Sequence, residues 1–542
     1  MPAHLAYKPI RAPGGHAQTL VDPPWDSVPA LIEGNRTLAG RASYDVQGLS
    51  LCRLRAEARR HLLQEARRHT NAYRDVAASP AREAPAQEGS AQEGPLLLAG
   101  HQPQLFHPGV WFKNFALSAL ARRMGGQAVN LVIDNDILRQ ASIRVPTGSA
   151  GEPQVISMPF DRIVETIPFE QREVVDADLF GSFADRVQAA GKGVLAEPLV
   201  ADYWKLVLAA RQRSANLGRC LAEARHRLEG HWGQDTWEVP LSAVCQGSAF
   251  AWFACHLLAN LPRFQDVHNT ALHEYRRVNH VRSRAHPVPD LECDRTWREA
   301  PFWLWSDASP SRKRAFVRSC ACGVELTDRS GLSVQLPLHE DRDAERAAEA
   351  LVALGRSGVK LRPRALVTTM YARLVLSDLF LHGIGGAKYD QLTDLIVQRF
   401  FGLPPPAFMT LSATVLLFED RTAELAARIR TAKQRLREFR FQPERHLIPD
   451  RGGNGWISEK LAWIRRDAPR GQRQVRHREL ERLNALLGAG LERERHQTAA
   501  DVARWTADLR RQTSLASREF AFCLFSEKKL RPLLLELSRG NV

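Results

Sequence analysis

The chain has 542 residues, 44% apolar and 25% charged, which excludes a disordered or collagen-like polypeptide and leaves room for two or three globular domains. Its net charge is +15, but 64 of the 75 basic residues are Arg and none form a polybasic run, a skew that suggests an Arg-rich coding bias as much as selection for a basic face, so nucleic acid is not the expected partner. No stretch reaches the roughly 20 apolar residues of a membrane span, and Met1–Leu20 has no charged head before an apolar block, so no membrane partner is expected and the location is read as cytoplasmic.

In chain order, residues 1–48 are rich in Pro and Gly and start irregularly. Cys52–Val76 reads as a helix with Leu54, Ala58, Leu62 and Ala66 on one stripe, and the Ala/Pro/Gly/Glu tract 79–94 as a flexible loop. Leu96–Ala99 is a fully apolar run that stops at Gly100-His101-Gln102-Pro103. A helix follows over Val110–Met124, with Phe112, Phe115, Ala116, Ala119 and Leu120 on its inner face. A second run, Val129–Ile133, ends in Asp134-Asn135-Asp136. This is the pattern of a parallel βαβ unit. Residues 140–200 mix short β-like runs, at Ser142–Pro146, Gln154–Met158 and Ile163–Ile167, with loops; helical sequence follows over 200–232, then a strand or loop over Trp237–Val244 and a helix over Ser248–Ala259.

The polar block His268–Asp290 starts helical and ends in a Pro-punctuated loop. Pro301–Trp305, Arg314–Cys320 and Val324–Asp328 read as strands. Tyr371–Phe380 runs into His382-Gly383-Ile384-Gly385-Gly386, a helix over Asp390–Phe401 and a β-run over Phe408–Leu416, a second strand-and-helix unit. Two charged amphipathic helices, one carrying Leu425, Ile429, Ala432, Leu436 and Phe439 and the other running from Leu480 to Leu509, read as an antiparallel hairpin or coiled coil. The expected organisation is an α/β core over 1–415, the helical hairpin over 416–517, and a C-terminal segment, 518–542, docking back on the core. The eight cysteines are scattered; only Cys320 and Cys322 are close, no second pair stands at zinc spacing, and no metal is expected.

Ligands of parallel sheets bind outside the carboxyl ends of the strands, and both polar clusters of the βαβ unit fall there. His101 is suited to stabilise charge or move a proton, with Gln102 orienting it. His107 and Lys113 follow on the same loop and helix, where phosphate or carboxylate groups are drawn to amide donors. Asp134, Asn135 and Asp136 would contact an amine, a ribose or a metal, or simply cap a helix. Arg277, Arg282 and Arg284, with Asn279 and His286, would form a pocket wall that clamps carboxylates. Gly383, Gly385 and Gly386 would let a ligand approach the backbone, although the P-loop pattern is absent. The partner expected is a small anionic substrate.

Taken together, Leu98-Ala99-Gly100-His101-Gln102-Pro103-Gln104-Leu105-Phe106, Lys113, Asn135-Asp136, Leu361-Arg362-Pro363 and Gly383-Ile384-Gly385-Gly386 with Tyr389 resemble the cysteine-adding enzyme family of bacillithiol biosynthesis. The resemblance runs discontinuously over about 94–416 and rests on the order of short motifs. It departs from the family where an acidic Glu-Asp-His-Asp cluster is replaced by Asp134-Asn135-Asp136, and where Ala387-Lys388 follows the paired glycines. It implies a Rossmann-like, nucleotidylyltransferase-like core with helical connecting segments and a C-terminal coiled coil that can pair subunits. It also implies a carbon–nitrogen ligase that joins cysteine to an amino-sugar conjugate through an amide. Arg362 would then contact substrate, Gly383, Gly385, Gly386 and Tyr389 a nucleotide, and ATP or ADP is the candidate cofactor. Two other readings stay open, a nucleotidylyltransferase-like enzyme and a basic coiled-coil scaffold or nucleic-acid-binding protein.

Overall fold

The computed structural model describes residues 9–76, 94–149, 152–447, 454–467 and 469–540; the loop expected over 79–94 lies outside them except for Gly94. The chain divides into two compact units, Met1–Val145 with Ile156–Val415 and Arg518–Val542, and Pro146–Val155 with Leu416–Ser517.

The first unit is a mixed α/β body. Its two large sheets use eleven strands, Gln18–Asp22 (β1), Leu96–His101 (β2), Gln127–Val132 (β3), Trp237–Pro240 (β4), Arg298–Ser306 (β5), Ser309–Cys320 (β6), Gly323–Thr327 (β7), Ser333–Leu336 (β8), Val359–Pro363 (β9), Leu379–His382 (β10) and Phe408–Thr414 (β11). One sheet has the order β1-β11-β10-β2-β3-β4 and the other β8-β7-β6-β5-β9. In the first, β11, β10, β2, β3 and β4 are all parallel and only the edge strand β1 is antiparallel. The second is antiparallel throughout. Leu96, Leu97, Leu98 and Ala99 are all 0% exposed, as the continuous apolar run of a strand covered on both faces requires.

The helices used below are Val28–Arg41 (α1), Leu51–Asn71 (α2), Pro108–Arg123 (α3), Leu217–His231 (α4), Leu261–Val278 (α5) and Ile384–Ile396 (α6). The stripe Leu54, Ala58, Leu62 and Ala66 of α2 is buried and shares one apolar core with Leu96, Leu98, Val129 and Leu131. Side chains alternate along a strand, so Leu97 and Ala99 face the other way, where α3 packs on β2, β3 and β11. Gly109, in the first turn of α3, makes that packing possible, because a Cβ there would lie 1.9 Å from the Ala413 carbonyl oxygen.

Local expectations fail where the apolar signal is thin. β1 and α1, which lie in the Pro- and Gly-rich segment 1–48, carry no periodic signal in the sequence. α1 buries only Val28, Ile32 and Asn35, too few apolar positions for a visible period. No strand forms over 163–167, and two short helices, Ala177–Gly181 and Phe183–Gly191, occupy sequence read as loop. In the second unit the described part of the link between the two long helices contains a helix, Asn454–Arg465. Thr422–Phe441 (α7), Asn454–Arg465 (α8), Arg473–Gly488 (α9) and Glu492–Leu515 (α10) all form there, with α7 packed on α10 and on α9, and α8 on α9. A two-helix hairpin is therefore too simple for this unit. No helix among the described residues is long and apolar enough to cross a membrane.

Asp378 ties the amino ends of β2 and β10 together. Its carboxylate accepts from the Leu96 amide at 2.8 Å and from both terminal nitrogens of Arg59 at 2.7 and 2.8 Å. Although burial opposes the charge, the Arg59 pairing and the amide hold its pKa at about 2, below the ordinary 3.8. A depressed carboxylate contributes stability above its unfolded pKa and loses it as pH falls through the folded one. Asp378→Asn is thus expected to cost roughly 2 kcal/mol near neutral pH. Urea titrations at stepped pH should show the gap to the parent closing between pH 3.8 and about 2, and a gap independent of pH would refute the ion-pair account.

Candidate functional site at the carboxyl edge of the parallel sheet

In chain order the parallel strands lie third, second, first, fourth, fifth across the sheet, so the direction of winding reverses between β2 and β10. At such a reversal the loops leaving neighbouring strands turn to opposite faces and open a crevice, the usual ligand position. Here the two strands end in His101 and His382, and each feeds a helix N-terminus, that of α3 and that of α6. Helix N-termini carry unpaired amides and a partial positive charge.

His101 is half-buried. Its Nδ1 donates to the Gln102 carbonyl at 3.0 Å, so Nε2 carries the lone pair. Its ring stands edge-on to Phe106 at 4.7 Å, and Phe106 in turn packs on Phe522, at 5.8 Å, from the C-terminal segment of the same unit. Burial, and next the Lys113 ammonium, push the imidazole down to about 3, so it is neutral at pH 7. His107 is the N-cap of α3, its Nδ1 accepting from the Gly109 amide at 3.1 Å. Nε2 must then hold the proton. It faces Nη2 of Arg518 at 3.4 Å, a guanidinium that also donates to Ser412 Oγ at 3.1 Å. Two donors thus converge at the start of α3, with the Glu519 carboxylate 3.8 Å from His107.

Lys113 lies one turn further along α3, is 2% exposed, and donates to the Gly100 carbonyl at the end of β2. Burial, reinforced by Arg225, lowers its pKa to about 7. Arg225 on α4 is the hub of the polar layer behind the loop. It pairs with Glu229 at 2.6 Å and with Glu238 on β4. Trp111 and Asn114 of α3 donate to the same Glu229 oxygen at 2.6 and 2.8 Å, and Asn130 on β3 donates to Glu238 at 2.5 Å.

At the other strand end, His382 Nε2 donates to Asp390 at 2.7 Å, and Asp390 also receives Arg373 at 2.7 Å and Thr369 at 2.8 Å. Arg373, and with it His382, holds the Asp390 carboxyl far below the usual range despite burial. Gly386 is required here, since a Cβ would come within 2.4 Å of His382 Nδ1. Gly383 is the N-cap of α6, and no side chain caps that helix, so Gly383, Gly385 and Gly386 lie where its first amides are exposed. Tyr389, on the next turn, faces His286 at 6.1 Å.

The Asp134-Asn135-Asp136 tip of β3 is engaged by protein, for a reason the sequence could not show. Asp134 is buried and accepts from the Ser242 amide at 2.9 Å and from the Ser242 hydroxyl; burial, then Glu170, raises its pKa to about 7. The Asn135 amide donates to the Pro363 carbonyl at 2.8 Å. Asp136 accepts from Gln102 at 3.0 Å and pairs with Arg312 at 2.9 Å, so Gln102 orients Asp136 rather than His101. Arg362 is buried and grips Glu170 with two donors at 2.9 and 3.2 Å, which leaves it a structural cross-link in place of a substrate contact. Gln102, Asp136, Arg139, Gln140, Ser142 and Phe160 line a cavity of about 440 Å³ beside this tip.

Arg277, Arg282, Arg284 and His286 are exposed, and Asn279 bonds to its own helix through the Tyr275 carbonyl at 3.1 Å. They do not build a closed pocket wall. The ordering residue is Arg276, which donates to the Arg284, His286 and Val288 carbonyls and to Asp290 and so shapes the Pro-rich loop. Reading the sequence missed Arg225, Glu229, Arg373, Asp390 and Arg518. His382 shared the signal that marked His101, an imidazole directly after an apolar strand.

The fold and this edge define an α/β protein whose parallel sheet gathers histidines, a buried lysine and two helix N-termini at the point where its strand order reverses. No family model matches the chain, and no curated protein matches it.

Proposed function

We propose that the chain is an enzyme with a Rossmann-like core that binds a small anionic substrate at the β2/β10 crevice and joins it to an amine through an amide bond. The observation that carries the reading is the placement of the His101 lone pair, the Lys113 amine and the uncapped N-terminus of α6 at the adjacent carboxyl ends of β2 and β10. These groups suit the two tasks of amide formation, holding an acyl donor that bears phosphate or carboxylate and taking a proton from the attacking amine. The first amides of α6, which no side chain caps, and Lys113 hold the anion. Burial first, and next the Lys113 charge, keep the imidazole proton-free; the bound anion offsets the second, Nε2 accepts the proton of the attacking amine, and the C–N bond forms as the acyl carbon's bond to its phosphate leaving group breaks. The cavity beside Gln102 and Asp136 takes the amine-bearing partner, with Asp136 shared between the ammonium and Arg312.

The loop resemblance narrows the pair to cysteine, or a related amine and acid, and an amino-sugar conjugate, with ATP or ADP as the nucleotide at Gly383, Gly385, Gly386 and Tyr389. The helices of the second unit serve as a coiled coil that pairs two copies of the chain.

A thermal-shift and native mass spectrometry screen with ATP, ADP, cysteine and amino-sugar malates tests this. At a hundredfold excess over Kd a true ligand stabilises by about 2.7 kcal/mol. At least one of these compounds is expected to bind, and His101→Ala is expected to retain binding while lowering amide formation roughly 10²- to 10⁴-fold. Stabilisation by none of them would overturn the ligase reading.

A further inference from the structure

The β6–β7 hairpin carries chemistry that the crevice does not use. Cys320 ends β6, Gly323 begins β7, and the two are paired in register, so the connection is the two-residue turn Ala321-Cys322. Gly323 holds the turn against the rest of the sheet. Its φ is +129°, and a Cβ there would lie 2.3 Å from the Leu336 carbonyl oxygen, a position only glycine can take. Cys322 is exposed and Cys320 half-buried. Their Sγ atoms are 3.2 Å apart, and Cys322 is steadied by Gln335 Oε1 at 3.3 Å. The other cysteines have no sulfur partner among the described residues. Cys220, Cys245, Cys255 and Cys523 are buried, while Cys52 and Cys293 are exposed singly.

We propose that Cys320 and Cys322 are a redox-active dithiol that exchanges with small-molecule disulfides and closes reversibly across the hairpin tip. A disulfide needs its sulfurs at about 2.05 Å, so roughly 1 Å of side-chain rotation closes the pair without moving the strands. The exposed Cys322 thiolate attacks one sulfur of the incoming disulfide. That S–S bond breaks, a mixed disulfide forms on Cys322, and the first small thiol leaves with one proton. The Cys320 thiolate then attacks Cys322 Sγ, and the second small thiol leaves with the other proton. Two electrons pass from the two cysteine sulfurs to the incoming disulfide, which departs as two thiols. The exposed attacking cysteine stands beside a partly sheltered resolving one, and because the hydrogen bond with Cys320 raises the Cys322 pKa, the exchange is expected to speed up as pH rises.

The test is incubation of the reduced full-length chain with oxidised glutathione, followed by intact mass measurement and peptide mapping. The parent is expected to lose two hydrogens at 320–322, to keep no glutathione there, and to recover both thiols with dithiothreitol. Cys320→Ser, which removes only the resolving thiol, is expected to hold glutathione on Cys322 at a level at least about tenfold above the parent. Equal adduct on the parent and on Cys320→Ser would overturn the proposal, as would reaction at Cys52 and Cys293 with 320–322 left reduced. The substitution and both readouts are independent of the crevice, so they stand whether or not the ligase reading does.

Discussion

Lys113→Met is expected to make the protein more stable and its crevice less able to bind. The amine sits 2% exposed between α3 and β2, and its pKa falls from 10.5 to about 7. Between those values the unfolded chain binds a proton that the folded chain does not, so stability rises with pH across this window, and below pH 7 the whole penalty is present. Methionine fills the same volume without the charge. The gain at pH 6 is on the order of 3 kcal/mol, discounted for the lost bond to the Gly100 carbonyl, and it shrinks steadily as pH rises from 7 toward 10. Urea unfolding at several pH values measures it. A gain that does not change with pH, or a loss at pH 6, would show that the amine is not held against its solvation preference. Loss of the cation should at the same time weaken binding of an anionic ligand roughly 10- to 100-fold. Stability surrendered at one buried charge is what a binding site costs, and the pairing of the two effects in a single variant separates function from packing.

Arg225→Ala is expected to act in the opposite direction. Its guanidinium, 5% exposed, is the shared counter-ion of Glu229 and Glu238, which are 1% and 0% exposed. Removing it leaves two carboxylates in the interior without a cation, a loss of about 3–5 kcal/mol. Lysine should not rescue it, because one ammonium cannot span two carboxylates as the planar fork does. Adding Glu229→Gln and Glu238→Gln to Arg225→Met should recover part of the loss, since no uncompensated charge then remains buried. Denaturant midpoints across this set decide the matter. If Arg225→Ala costs under about 1 kcal/mol, the layer behind His101 is solvated and the low pKa of Lys113 needs another cause.

These two residues also mark how far the sequence could be read. Lys113 was visible, because it follows a polar loop on a helix whose inner face is apolar. Arg225 was not. With Glu229 it forms an i, i+4 pair, the same spacing as the solvated pairs Arg53–Glu57 and Arg428–Glu424, and spacing carries no information on burial. The tip of β3 misled for a related reason. Asp134, Asn135 and Asp136 looked like groups in want of a ligand, but Ser242 and Pro363 satisfy the first two from 108 and 228 residues away in the chain, and Asp136, its side chain still 34% exposed, already pairs with Arg312. In the 268–290 block the exposed Arg277, Arg282 and Arg284 and the organising Arg276 are alike as residue types, and only the carbonyls around Arg276 tell them apart.

By itself the sequence determined the elements whose signal is periodic. The apolar runs Leu96–Ala99 and Val129–Ile133, the stripe of α2, and the two strand-to-helix turns at His101 and Gly383 follow from hydrophobic burial and backbone preference, which act over a few residues. Tertiary structure alone decided the strand order that sets β2 beside β10, and with it the meeting of the two turns. It also decided which polar groups are spent on one another and which remain for a ligand. Those outcomes depend on pairings between distant segments, where a buried charge is stable only beside its counter-charge, and no local period in the chain records that choice.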